Sequence, residues 1–191
     1  MALPSTFLRR KWERVFYTFF DINRNKSIDW NDFELLFEKI KQIRGEDSKE
    51  YRICEDSMRM VWKGLLTESM GLDMMAPAPE DATVSLMEWN RIWQTYNQYK
   101  MPIWQWEYLK YMFFLLDESG DKYIDEVEYT KVMAIYGMSS ADAKKAFAHF
   151  AVDERNRKVD KIDYGAFVKR WNEYFTSDDP KSPGSYLFGP W

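Results

Sequence analysis

Cysteine and histidine are nearly absent from this chain: Cys54 and His149 stand alone among 191 residues. One cysteine rules out an intrachain disulfide and gives no reason to expect an oxidising compartment; its ordinary role is that of a small buried hydrophobe. There is no Cys and His pair, no glycine-rich phosphate loop and no nucleophile elbow, so the common enzyme classes find no footing and a non-catalytic protein is expected. No run approaches the ~18 apolar residues of a membrane span, and the stretch from Met1 to Lys11 lacks the apolar segment of a secretory signal. A cytoplasmic protein without stable membrane insertion is therefore expected. Charge of one sign is not concentrated either: 27 Lys and Arg are scattered among 31 Asp and Glu, for a net charge of −4. That pattern argues against a nucleic-acid surface and makes a cation the expected small partner.

Aromatic residues are abundant, with nine Trp, twelve Tyr and thirteen Phe, and 46% of the chain is hydrophobic, which excludes a disordered polymer. Sustained strand-type alternation is missing and helical periodicity dominates. Phe7, Val15, Phe16, Phe19 and Phe20 share one side of a first predicted helix, and Phe33, Leu36, Phe37 and Ile40 one side of a second. Further helices are predicted over 48–66, 86–99, 103–116, 126–136, 140–151 and 161–175. Pro102 suits a first helical position, while Gly137 followed by Ser139 and Asp142 reads as a helix stop and a new N-cap. The segment Gly71 to Thr83, with Pro77 and Pro79, reads as loop.

Four windows align as a repeat: 21–32, 77–88, 117–128 and 152–163. Position 8 is Ile28, Val84, Ile124 and Val159; position 13 is Phe33, Trp89, Tyr129 and Tyr164. Positions 16 and 17 are also apolar or aromatic in every window, from Leu36 and Phe37 to Phe167 and Val168. A β-branched residue at position 8 suits a short backbone pairing between neighbouring loops, and the later columns fall on an inward helix face. The predicted fold is all-α: four EF-hand helix-loop-helix units in two packed pairs, forming a compact single globule. One pair occupies 1–100 and the other 101–176, with a tail over 177–191 packing back on the core; a monomer is expected.

Two windows keep the ligand pattern of a twelve-residue calcium loop. A hard cation wants about 6–8 oxygens, which such a loop supplies from positions 1, 3, 5, 7 and 9, with position 12 closing the site from the exiting helix. The first loop offers Asp21, Asn23, Asn25, the Ser27 carbonyl, Asp29 and Asp32; the third offers Asp117, Ser119, Asp121, the Tyr123 carbonyl, Asp125 and Glu128. Lys26 and Lys122 replace the usual glycine at position 6, at a cost on the order of 1 kcal/mol for a side chain held at positive φ. The shorter Asp32 suits the first loop to Mg²⁺ or to weak Ca²⁺ binding, whereas Glu128 leaves the third better equipped. The other two windows have lost their ligands. Pro77 and Pro79 stand at positions 1 and 3 of the second, leaving Asp81 and Glu88, and Val152, Arg155, Arg157 and Lys158 disqualify the fourth.

These loops, with Trp30 to Phe33, Trp62, Glu88-Trp89, Trp93, Pro102 to Trp104, Ser119 to Asp121, Trp171 to Phe175 and Leu187 to Gly189, resemble the invertebrate sarcoplasmic calcium-binding proteins, and within them the calexcitins. The resemblance spans nearly the whole chain. It implies a non-catalytic cytosolic calcium buffer or signalling protein whose first and third sites bind ions. The position-6 lysines and the Pro-rich second loop depart from that family's usual pattern.

Two other readings compete. Degenerate EF-hands can serve as a scaffold for a protein partner, for which Met58, Met60, Met70, Met74, Met75 and Met87 would supply an adaptable surface, although core filling is the plainer account of them. A related branch, the luciferin-binding proteins and photoproteins, holds a small organic ligand in an aromatic cavity. That branch relies on histidines, and His149 reads as packing or surface. Tyr186, Leu187, Phe188 and Trp191 are expected to fold back and plug apolar surface.

Overall fold

A computed structural model describes residues 4–96 and 101–190. Its helices are α1 (Thr6–Val15), α2 (Trp30–Arg44), α3 (Lys49–Met70), α4 (Leu86–Thr95), α5 (Ile103–Leu116), α6 (Glu126–Ile135), α7 (Ser140–Phe150) and α8 (Tyr164–Thr176). Four short strands, β1 (Ser27–Ile28), β2 (Val84–Ser85), β3 (Tyr123–Asp125) and β4 (Lys161–Asp163), form two antiparallel ladders, β1 with β2 and β3 with β4. No helix among the described residues is long and apolar enough to cross a membrane.

Local chemistry sets the ends of these elements. Ser48 caps α3 by accepting from Tyr51 N–H, and the helix runs through Gly64 to Met70, where Gly71 ends it at φ 70°. Ser85 with Glu88 starts α4, and Asp125 with Glu128 starts α6, each as a reciprocal capping box. The predicted helix over 161–175 begins only at Tyr164, because Lys161–Asp163 is drawn into β4. The predicted helix through Phe20 is regular to Val15 and then widens into a π-helical turn over Phe16–Phe20, closed by Asp21 N–H to the Phe16 carbonyl at 2.8 Å. Residues 97–99 of the helix predicted over 86–99 lie outside the described residues.

The chain divides into two compact units. Among described residues, the first comprises Pro4, 12–96 and 101–111, and the second 5–11 and 112–190. The division falls inside α1 and α5 rather than at residue 100. The first half of α5 is tied to the first unit by its aromatics: Trp104 meets Trp89 and Trp93 at 6.2 and 5.8 Å, and Tyr108 meets Phe20 at 4.9 Å. Gly64 makes this possible, since a Cβ there would come within 2.2 Å of Trp104 Cβ. Trp89 Nε1 donates to the Trp12 carbonyl at 2.9 Å, which satisfies a buried indole. Cys54 is buried in this unit, its thiol donating to Tyr111 Oη, and burial pushes its pKa up to about 12, so it is packing rather than a reactive group.

In the second unit Tyr129, Phe147 and Phe150 form one aromatic cluster and Trp171, Tyr174 and Phe175 another. The chain after α8 makes a 3₁₀ turn over Pro183–Tyr186 and returns to these helices. Phe188 sits on Trp171, Tyr174 and Phe175 at 5.5, 4.8 and 6.2 Å, Tyr129 Oη donates to the Leu187 carbonyl at 2.7 Å, and Tyr186 stacks on His149 at 4.1 Å. Of the residues expected to fold back, Trp191 lies outside the described residues. Lys11 is buried in the same unit. Its ammonium donates to the carbonyls of Glu173 and Ser177 at 3.3 and 2.6 Å, at the C-terminal end of α8, and to Ser185 Oγ at 3.3 Å.

Candidate metal centres

Each ladder joins two interhelical loops, and its register identifies equivalent positions. Ile28 pairs with Val84 and Ile124 with Ile162. The first three windows are therefore in the register read from sequence. The fourth is corrected by three residues: Ile162, not Val159, occupies position 8. Phe167 then replaces Tyr164 at position 13, and Arg170 and Trp171 replace Phe167 and Val168 at positions 16 and 17. Burial agrees, since Ile162, Phe167, Arg170 and Trp171 are buried while Tyr164 is exposed. The misreading came from assuming constant loop length. Residues 151–163 separate α7 from α8, whereas only 117–125 separate α5 from α6.

In the first loop, Asp21 follows the π-helical turn and is buried, with the Lys26 N–H donating to its two carboxylate oxygens at 3.3 and 3.2 Å. Asn23 Oδ1 accepts from Asn25 N–H at 2.9 Å, and Asn25 Oδ1 accepts from both Ser27 N–H and Ser27 Oγ at 2.8 Å. The Asn25 amide donates to Asp29 Oδ2 at 2.8 Å. Asp32, buried at the start of α2, closes the turn by accepting from Asn23 N–H and Asp29 N–H, each at 2.9 Å. Burial raises the Asp32 carboxyl above its usual range; the two N–H donors oppose this and the nearby Asp29 and Asp21 carboxylates reinforce it.

The third loop repeats this wiring. Lys122 N–H donates to Asp117 Oδ2 at 3.1 Å, Asp121 N–H to Ser119 Oγ at 3.4 Å, and Tyr123 N–H to Asp121 Oδ1 at 2.8 Å. Glu128 accepts from Ser119 N–H at 2.9 Å and from Asp125 N–H at 3.1 Å, while Asp125 Oδ1 accepts from Glu128 N–H at 2.9 Å. Positions 9 and 12 of the loop are thus also the N-cap and third residue of the exiting helix, so one pair of acids serves helix start and loop closure together. Lys26 and Lys122 sit at φ 73° and 69°, the left-handed conformation expected for position 6. At position 4 the loops differ, for Gly120 takes φ 73° without a Cβ whereas Arg24 takes φ 62° with one.

Each loop therefore gathers its six sequence candidates into one hydrogen-bonded turn. Among the described residues no group of three or more His, Cys, Asp or Glu side chains is arranged to hold a metal ion. The reason is visible in the wiring: the carboxylates face backbone N–H groups, and five of the twelve candidate ligands are Asn, Ser or main-chain carbonyl groups. Two carboxylate oxygens, Asp117 Oδ1 and Asp29 Oδ1, are nevertheless buried with no hydrogen-bond partner. Buried polar atoms are rarely left so, and oxygens at loop positions 1 and 9 fit a hard cation.

The other loops have different chemistry. The second keeps the Ser85 and Glu88 cap, but the stretch before it carries Pro77 and Pro79 and an exposed Asp81, with Ala82 N–H turning back to the Pro79 carbonyl at 3.2 Å. In the fourth, Asp153 Oδ1 accepts from Arg155 N–H and Arg157 N–H at 2.8 and 2.9 Å, and Asp153 Oδ2 binds the Arg157 guanidinium at 2.7 Å. Buried Arg170 donates to the Phe150 and Val152 carbonyls, each at 2.9 Å. The methionines divide: Met58 is buried, Met60, Met70, Met75 and Met87 are exposed, and Met74 is half-buried.

No family model matches the chain. Among curated proteins it is 32% identical over 183 residues to calexcitin-1 of Caenorhabditis elegans, covering 96% of this chain and 86% of that one. It is also 26% identical over 148 residues to the sarcoplasmic calcium-binding proteins I, III and IV of Branchiostoma lanceolatum, covering 74% and 76%. A solved sarcoplasmic calcium-binding protein from amphioxus superposes with a TM-score of 0.74 at 20% identity, over 96% of this chain and 97% of the other, which shows a shared fold. The Branchiostoma and amphioxus relatives are named as calcium-binding proteins. With paired helix-loop-helix units and near full-length similarity to calexcitin-1, the chain belongs to the calexcitin-like EF-hand proteins.

Proposed function

We propose that this protein binds Ca²⁺ at the third loop and Ca²⁺ or Mg²⁺ at the first, and acts as a calcium buffer. The observation that carries the reading is Asp117 Oδ1, a buried carboxylate oxygen without a partner at position 1 of a loop whose other ligand positions are tied together by hydrogen bonds. Asp117, Ser119, Asp121, the Tyr123 carbonyl, Asp125 and Glu128 would hold the ion there, and Asp21, Asn23, Asn25, the Ser27 carbonyl, Asp29 and Asp32 would hold the other. The ion supplies a compact positive charge to a loop rich in acids. The loop's own contribution is preorganisation: Lys122 N–H fixes the Asp117 carboxylate, and Ser119 N–H and Asp125 N–H hold Glu128 at the loop's closing edge.

The third loop is the stronger site on two counts. Glu128 has the reach to coordinate with both oxygens where Asp32 does not, and Gly120 relieves backbone strain that Arg24 must carry. A buffer rather than a sensor is supported by the tail, since Leu187 and Phe188 already cover the aromatic surface of α6 and α8 on which a partner helix would dock. Isothermal titration of the metal-stripped chain tests the sites. Ca²⁺ heat is expected, with the tighter component lost in Glu128→Gln and the weaker in Asp21→Ala; no heat with millimolar Ca²⁺ or Mg²⁺ ends the reading.

A further inference from the structure

The ladder that joins the third and fourth loops also places a cation against the third one. Lys161 lies in β4 directly opposite Asp125, and in the pleat Tyr123 and Asp125 point to the same face of β3. A long basic side chain at that position reaches the loop it faces. Its ammonium ion-pairs with Asp121 Oδ2 at 3.0 Å and lies 4.3 Å from the centroid of the Tyr123 ring. Asp121 Oδ1 is meanwhile held by Tyr123 N–H, so both oxygens of the position-5 carboxylate are engaged, one by the backbone and one by a side chain from the neighbouring loop.

We propose that Lys161 is a tethered counter-cation that sets the affinity of the third loop, competing with the divalent ion for Asp121. This rests on the third loop being a metal site, as proposed above. The fourth loop, which has lost its own ligands, regulates its partner through this one residue. A unit positive charge held beside the site repels an incoming divalent cation and occupies one of its acceptors, and both effects weaken binding. Because Lys161 and Asp121 are half exposed, the effect is modest and salt must screen it. The equivalent place beside the first loop is neutral: β1 pairs Ser27 with Ser85 and Ile28 with Val84, so the next cross-strand position, opposite Asp29, is Thr83. The two metal loops thus differ by a charge at one register position of their partner loops.

The test is Ca²⁺ titration of the full chain in wild type, Lys161→Thr, Lys161→Arg and Thr83→Lys, with Glu128→Gln marking which heat belongs to the third loop. Lys161→Thr is expected to tighten the third site about fivefold to tenfold in dilute buffer, with most of that gain lost in about 0.5 M KCl. Lys161→Arg, which keeps the charge, should stay near wild type, and Thr83→Lys should weaken the first site by a similar factor. Unchanged or weaker third-site binding in Lys161→Thr, a gain indifferent to salt, or an unaffected first site in Thr83→Lys overturns the proposal. If Glu128→Gln removes no heat, the third-loop reading itself fails and this proposal with it; if Glu128→Gln abolishes a site that Lys161→Thr leaves unchanged, only the role of Lys161 is lost.

Discussion

The third and fourth loops face each other across one ladder, yet they balance their acids in opposite ways. The fourth carries its own cations: Arg157 closes on Asp153 at 2.7 Å, and Arg170 ties down the Phe150 and Val152 carbonyls. Its shape is fixed by covalently attached charge. The third has no internal guanidinium, pairs Glu118 with Lys131 of its exiting helix at 2.8 Å, leaves Asp117 Oδ1 without a partner and takes the Lys161 ammonium from its neighbour. A loop that supplies its own counter-charge keeps one shape regardless of solution, whereas a loop that leaves an acceptor open responds to whatever cation is present. On the proposed reading of the sites, guanidinium groups in the fourth loop stand where the third leaves room for an ion.

The largest test of that contrast removes the buried cation. Arg170 is buried, donates to two carbonyls and also pairs with both oxygens of Glu173 at 2.9 Å, and Glu173 in turn accepts from Gly184 N–H at 2.9 Å. Arg170→Met strips the guanidinium donor from the Val152 carbonyl and from the Phe150 carbonyl, which keeps only the Val152 N–H at 2.9 Å, and leaves Glu173 without this charge partner. Breaking one side of such a network costs about 3 kcal/mol, which urea unfolding would report. The loss should be as large in Ca²⁺ as in chelator if the fourth loop, as its sequence predicts, holds no ion. A difference between wild type and Arg170→Met that is present in chelator and vanishes in Ca²⁺ would show that the two loops are not different in kind.

Much of this arrangement was legible in the sequence, and the failures have physical causes. Apolar columns and acid spacing located three loops in register, because a β-branched residue at position 8 and an aromatic at position 13 answer to burial that any EF-hand pair must provide. The same logic misplaced the fourth loop. Val159 and Tyr164 satisfy the pattern as well as Ile162 and Phe167 do, and the longer connection from 151 to 163 removed the fixed spacing that would have separated them. Arg170 was invisible as a buried residue because an arginine at an inward position looks like an interruption of the apolar face; only the carbonyls at the end of α7 explain it. Lys161 could have been found by carrying the ladder one residue past position 8, had the frame been right.

A second test uses pH to separate fixed cations from titrating ones in the same unit. Guanidinium groups stay charged throughout, but Lys11 does not: burial lowers its pKa from 10.5 to about 8, against the opposing pull of Asp178, Glu173 and Asp179. Below about pH 8 both folded and unfolded chains hold the proton, and the fold bears the whole cost of burying it. Between about 8 and 10.5 the unfolded chain binds more protons than the folded one, so this residue makes stability rise with pH. The gain is on the order of 1 kcal/mol after allowance for solvent screening. It should appear as a difference in slope between wild type and Lys11→Met, both unfolded in urea across that range; parallel profiles would rule out Lys11 as its source.

The smallest effect is expected where the contrast is drawn most plainly, at Arg157 itself. Its guanidinium is largely exposed, and an exposed ion pair contributes about 0–1 kcal/mol. Arg157→Ala therefore removes the fourth loop's internal cation while leaving Asp153 held by two backbone N–H groups, those of residues 155 and 157. The fold should lose less than about 1 kcal/mol, and the vacated charge at Asp153 should not create a metal site, because the residues that follow it supply too few oxygens in loop order. Calorimetry with Ca²⁺ on the Arg157→Ala, Glu128→Gln double variant decides the matter with the third loop silenced. A new ion-dependent heat there would mean that the arginine had been standing in for a metal in a loop still competent to bind one, and the fourth loop would then be a blocked site rather than a rebuilt one.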